Sequence, residues 1–108
     1  MSVFEKYVAA GRTKDLDALS DVFHENYMYL ALDYLETKKS ILQEFEKSWV
    51  ENTFANYDLN LIHEDKDTMI ITFIEEDFRK GTKDFVTEVL LLKDGQIFRS
   101  ASKTEPID

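Results

Sequence analysis

A chain of 108 residues with 44% hydrophobic and 13% aromatic residues, three glycines and one proline has the composition of one compact domain; such a chain buries roughly two-thirds of the surface its unfolded form exposes. The net charge of -9, from 22 acidic against 13 basic residues, repels phosphate backbones and anionic lipid, and the basic residues are scattered, so neither a nucleic-acid nor a membrane partner is expected. The lack of cysteine removes disulfides, thiolate nucleophiles and cysteine-ligated metals, which leaves oxygen and imidazole chemistry.

Met1-Ser2-Val3-Phe4-Glu5-Lys6 lacks the basic region and apolar run of a signal peptide, and no segment is apolar for long enough to span a membrane. A cytoplasmic protein is expected, with a single domain over residues 1–108 and no linker or repeat.

Ser2-Val3-Phe4-Glu5 fits a capping box, in which serine oxygen and glutamate carboxylate satisfy orphan amides at a helix start. Val3, Phe4, Tyr7 and Val8 share one face of that helix, and Gly11 is placed to end it in the left-handed conformation before a turn over 11–14. Asp15 caps a second helix that carries Leu16, Leu19 and Phe23 toward the core. Residues 27–32 are aromatic and aliphatic and too few for a typical helix, so they read as a strand. Tyr27, Tyr29, Ala31 and Asp33 lie on one face of it and Met28, Leu30 and Leu32 on the other. Thr37 caps a third helix with Ile41, Leu42, Phe45 and Trp49 at helical spacing, which lies across the sheet.

From residue 54 the period drops to two. Ala55, Tyr57, Leu59, Leu61 and His63 alternate with polar residues, a turn follows over 64–67, and a second strand runs over 68–78. The segment with Gly81 turns the chain back into a strand over 85–92, and Asp94-Gly95 predicts a two-residue type I′ hairpin into a last strand over 96–104. Two of these strands are apolar on both faces: Met69, Ile71 and Phe73 oppose Ile70, Thr72 and Ile74, and Val86, Leu90 and Leu92 oppose Phe85, Val89 and Leu91. The helices cover one face of the resulting α+β arrangement, and a second copy of the chain is expected to cover the other, as a homodimer packed through the sheet.

The order of elements, with Tyr7-Val8-Ala9-Ala10 in the first helix, Lys14-Asp15-Leu16-Asp17-Ala18-Leu19 opening the second, Val22-Phe23-His24-Glu25-Asn26-Tyr27 leading into the strand and Thr37-Lys38-Lys39-Ser40-Ile41 starting the third helix, resembles the nuclear transport factor two superfamily. Its SnoaL-like and ketosteroid isomerase-like members look closest. The resemblance covers almost the whole chain and implies a cone: a curved, mostly antiparallel sheet whose concave side is covered by three N-terminal helices. It specifies function poorly, because the scaffold hosts isomerases, cyclases, dehydratases and non-catalytic binding domains.

Carried over residue by residue, the resemblance makes Tyr7 an oxyanion-holding tyrosine and puts the strand base on Ala31, which accepts no proton. Asp33, two residues on and on the same face, is the displaced candidate base. The second acidic position falls on Leu90 when the alignment is anchored at Gly81 and on Glu88 when it is anchored at Asp94-Gly95.

Each residue also has a plainer reading. Tyr7 lies where core tyrosines lie, and Asp33 is placed to end a strand before a turn. A two-residue hairpin pairs Leu90 with Arg99 and Glu88 with Ala101, making Glu88 and Arg99 diagonal neighbours and an ion pair that keeps Glu88 charged. His24 and His63 lack the partners of a metal motif, and Glu75-Glu76-Asp77 alternates faces, so neither a metal nor another cofactor is expected. No nucleophile elbow or glycine-rich phosphate loop is present. Two functions remain: a pocket that binds a small hydrophobic ligand through Tyr29, Phe45, Trp49, Glu88 and Arg99, and an acid-base enzyme of isomerase, dehydratase or cyclase type acting through Tyr7 and Asp33.

Overall fold

The computed structural model describes residues 1–107. Helices α1 (Val3–Thr13) and α2 (Leu16–Val22) lead into strands β1 (Phe23–Leu30) and β2 (Leu35–Thr37), helix α3 (Lys38–Glu51), and then strands β3 (Phe54–Glu64), β4 (Thr68–Asp77), β5 (Thr82–Lys93) and β6 (Gln96–Ile107). Six strands form one curved, unclosed sheet in the order β2-β1-β6-β5-β4-β3. Among the described residues only β1 and β6 pair in parallel. None of the described helices is long and apolar enough to cross a membrane.

The helix starts follow their caps. Ser2 and Glu5 form the capping box of α1, Asp15 accepts from the amide of Ala18, and Thr37 and Ser40 cap α3 reciprocally. The end of α1 differs from expectation: the helix runs through Gly11 to Thr13, and Lys14 takes the left-handed cap at φ 53°. A contact across 60 residues then fixes α1 over the sheet. Both carboxylate oxygens of Glu64, at the end of β3, accept from the amides of Val3 and Phe4 at 3.2 and 3.3 Å, where the helix dipole favours negative charge.

Helix α2 is shorter than its apolar pattern, since Phe23 and His24 already belong to β1. Strand β1 in turn ends at Leu30 rather than continuing to Asp33. Residues 31–34 form a tight connection in which the amide of Ala31 donates to the carbonyl of Tyr34, and the unforeseen strand β2 folds back onto β1. The Asp94-Gly95 hairpin has the expected two-residue loop, with φ of 54° and 74° and Lys93 paired with Gln96.

The core lies between the helices and one sheet face. Leu19 of α2, Met69 and Ile71 of β4, Leu90 of β5 and Ile97 of β6 are its largest fully buried side chains. On β4 and β5 the expected alternation holds, with Met69, Ile71, Phe73, Val86, Leu90 and Leu92 inward. The opposite face stays open: Phe85, Val89 and Leu91 are 39%, 41% and 47% exposed.

Candidate functional site

Between α1, α3 and the far end of the sheet the layers leave a cavity of about 340 Å³. Its floor comes from β4, β5 and β6, its side from the β1–β2 hairpin, and its roof from Tyr7, Ile41 and Phe45. A broader cleft of about 960 Å³ between α1, α3 and β3 adjoins it, sharing Tyr7, Tyr34, Glu36, Ile41, Phe45 and Glu75 as common walls.

Tyr7 is positioned by the docked start of α1 and by its rings: it meets Phe23 and Phe45 edge to face, each at 6.4 Å between centroids. Burial pushes its phenol pKa far up and the charge of Glu88 adds to that, so the hydroxyl stays protonated. Tyr27 behaves alike, raised by burial against a hydrogen bond with Ser100 of 2.6 Å between oxygens. The Tyr29 hydroxyl hydrogen-bonds Ser102. Both pairs follow from the parallel β1–β6 register, which brings the tyrosines of one strand beside the serines of the other.

Glu88 stands on the floor, opposite Ser102 on β6 and Ile71 on β4. Burial pushes its carboxyl up to about 7; the Ser100 hydroxyl counters this and the charge of Glu75 reinforces it. Glu75 is itself raised, by burial and then by Asp84 and Asp77, and it sits directly across from Asp84 in the β4–β5 register. Glu36, on β2, is raised by burial and by Glu44. The arrangement places one carboxyl whose two protonation states are both populated near neutral pH beside hydroxyls that remain donors, which is the equipment for moving a proton to or from a bound molecule. Among the described residues no three His, Asp or Glu side chains are grouped so as to hold a metal ion.

The structure distributes the sequence-predicted residues unevenly. Tyr7, Tyr29, Phe45 and Glu88 line the cavity, and Trp49, 5.9 Å from Phe45, lines the adjoining cleft. Asp33 does not line either: it is exposed in the β1–β2 connection, because β1 ends before reaching it. Arg99 lies on the other face of the sheet, so the expected Glu88–Arg99 pair is absent. The reason is a bulge in β6, where Leu91 faces Arg99 and Leu92 faces Ile97, leaving Phe98 as an extra residue. Glu88 therefore faces Ser102 instead of Ala101, and Leu90 faces Ser100 instead of Arg99.

Arg99 instead stacks over the Phe98 ring at 3.8 Å and donates to the Asn26 carbonyl at 2.7 Å. His24 is buried in β1 against Phe98 and accepts from the Asn26 amide through Nδ1. Both alternatives for the second acidic position, Glu88 and Leu90, face the cavity. Sequence reasoning missed Tyr27 as a lining hydroxyl, and it missed Glu75 and Asp84. The signal for Glu75 was available, since period two from Met69, Ile71 and Phe73 puts it on the same face.

No family model and no curated protein sequence matches the chain. Solved structures do. Bal32a from a soil-derived mobile gene cassette superposes with a TM-score of 0.78 at 17% identity, over 94% of this chain and 86% of that one. A candidate polyketide cyclase from Sinorhizobium meliloti gives 0.75 at 20% identity, over 94% and 93%. An NTF2-like protein of unknown function from Cytophaga hutchinsonii gives 0.75 at 13% identity, over 95% and 87%. At such identities the likeness speaks for the fold and leaves the activity to the site. The chain has the cone-shaped fold of the NTF2-like, SnoaL and ketosteroid isomerase-like structures.

Proposed function

We propose that the protein binds a small molecule with an apolar or aromatic body in the cavity and exchanges a proton with it through Glu88, as an acid-base enzyme of isomerase, dehydratase or cyclase type. The observation that carries this reading is the Glu88 carboxyl, without a cationic partner and lining one cavity with Tyr7 and Tyr27. In this role Glu88 is base or acid, and the two phenols hold the oxygen on which charge develops. Asp33, outside the cavity, has no part in it. The test is a thermal-shift screen of hydrophobic metabolites against the wild type and Glu88→Gln, followed by turnover assays on the hits. Ligands stabilise the state they bind. Hits are expected to stabilise both proteins, with turnover lost by about a hundredfold or more in the variant; undiminished turnover in Glu88→Gln defeats the assignment.

The open sheet face supports a homodimer as the working form. Phe85, Val89 and Leu91 expose an apolar strip there, flanked by Ile70 and Ile74 on β4. Sedimentation at micromolar concentration is expected to give twice the chain mass for the wild type and the single mass for Val89→Lys. A monomeric wild type removes the proposal.

A further inference from the structure

Resting on the ligand-binding reading above, the lining of the cavity says more about what it holds. Six aromatic rings surround the space: Tyr7, Phe23, Tyr27, Tyr29, Tyr34 and Phe45. Their faces carry negative quadrupolar charge. Four carboxyl side chains, Glu36, Glu75, Asp84 and Glu88, join them; among the described residues no lysine, arginine or histidine lines the cavity, and Arg12 and Lys14 line only the adjoining cleft. None of the four belongs to an ion pair among the described residues, where the pairs are His63–Asp65, Arg79–Asp77 and Lys103–Glu105.

The placement of Glu75 across from Asp84 is unfavourable by itself, since like charges directly opposed in a ladder destabilise the sheet. A sequence that keeps this opposition on an inward face, while charges elsewhere are solvated, gives up stability at a functional position. The carboxyls form no metal-holding group among the described residues. Carboxyls set among six aromatic side chains match an organic cation better than a small hard ion.

We infer that the ligand of the cavity is a small organic cation, an ammonium group carried on an apolar or aromatic body, held by the aromatic rings and by the Glu75–Asp84 pair. The net charge of -9 attracts such a ligand at long range. A volume of about 340 Å³ limits it to a small one.

The test is calorimetric titration of the purified chain with benzylamine, phenethylamine and phenyltrimethylammonium, against the neutral benzyl alcohol and the anionic benzoate. At least one cation is expected to bind about tenfold or more tighter than benzyl alcohol, with benzoate weakest. Glu75→Gln combined with Asp84→Asn, verified as folded by circular dichroism and a thermal melt, is expected to bring the cation's advantage within about threefold. Should that pair not fold, Glu36→Gln gives the second reading, with a loss of about threefold expected. Equal binding of cation and alcohol overturns the inference and leaves the ligand-binding reading standing; tighter binding of benzoate, no measurable binding of any cation, or full retention of the preference in the folded variants also overturns it.

Discussion

Strands β4 and β5 pass through two different interiors on the same face of the same sheet. At one end Met69, Ile71, Leu90 and Leu92 pack against Leu19 and Ile97 with almost no exposure; at the other Glu75 and Asp84 line a cavity that reaches back past Phe73 and Val86 to Glu88, across from Ile71. The register and alternation that put leucine and isoleucine inward also put Glu88, Glu75 and Asp84 inward along the same face. Hydrophobic burial in the apolar half offsets the cost of the acidic half. The inward carboxyls add nothing to the burial that holds the fold together, and the proposed function rests on them.

The largest effect belongs to the apolar half. Ile71→Ala removes a fully buried side chain and is expected to cost about 2–5 kcal/mol, read from denaturant unfolding. A loss under about 1 kcal/mol would mean that this half is no better packed than the other.

Replacing a residue of the acidic half should have the opposite sign. Glu88 titrates near 4.5 when unfolded and about 7 when folded, so the folded protein holds the extra proton between those values. Its contribution is therefore fully present below about pH 4.5 and is lost as pH rises through about 7, at most about 3 kcal/mol in all. Glu36 and Glu75, raised as well, act in the same direction. Thermal melts of the wild type are expected to show lower stability at pH 8.5 than at pH 5.5, and Glu88→Gln is expected to flatten that fall and exceed the wild type at pH 8.5. A variant less stable than wild type at pH 8.5 would remove the contrast between the two halves.

The smallest effect isolates the opposed pair. Glu75→Gln relieves the repulsion from Asp84 and is expected to stabilise the chain by about 0.2–1 kcal/mol at neutral pH. Measured at low and high salt, the gain should shrink as screening grows.

Much of the scaffold was legible from the chain alone. Ser2 and Glu5, Asp15 and Thr37 marked helix starts; Asp94-Gly95 marked the hairpin; the alternation around Ile71 and Leu90 marked the inward face. Tyr7, Tyr29, Phe45 and Glu88 reached the cavity because helical and strand periods carry side chains to a predictable side. Asp33 and Arg99 did not. The first depended on how far β1 runs before the chain folds back as β2, and the second on one extra residue in β6.

What the sequence determined by itself is local: caps, turn conformations and periods, each set by one residue or by near neighbours along the chain. What only the tertiary structure decided is non-local. A single bulge at Phe98, held between Arg99, Lys93 and His24, reverses the face of every following residue in β6. That reversal carries Arg99 away from Glu88, turns Ser100 inward to the Tyr27 hydroxyl and brings Ser102 to the cavity. The same carboxyl that a regular strand would have paired and kept charged is thereby left in a desolvated cavity beside Tyr7, because its protonation depends on neighbours supplied by other strands and by a helix 80 residues away in sequence.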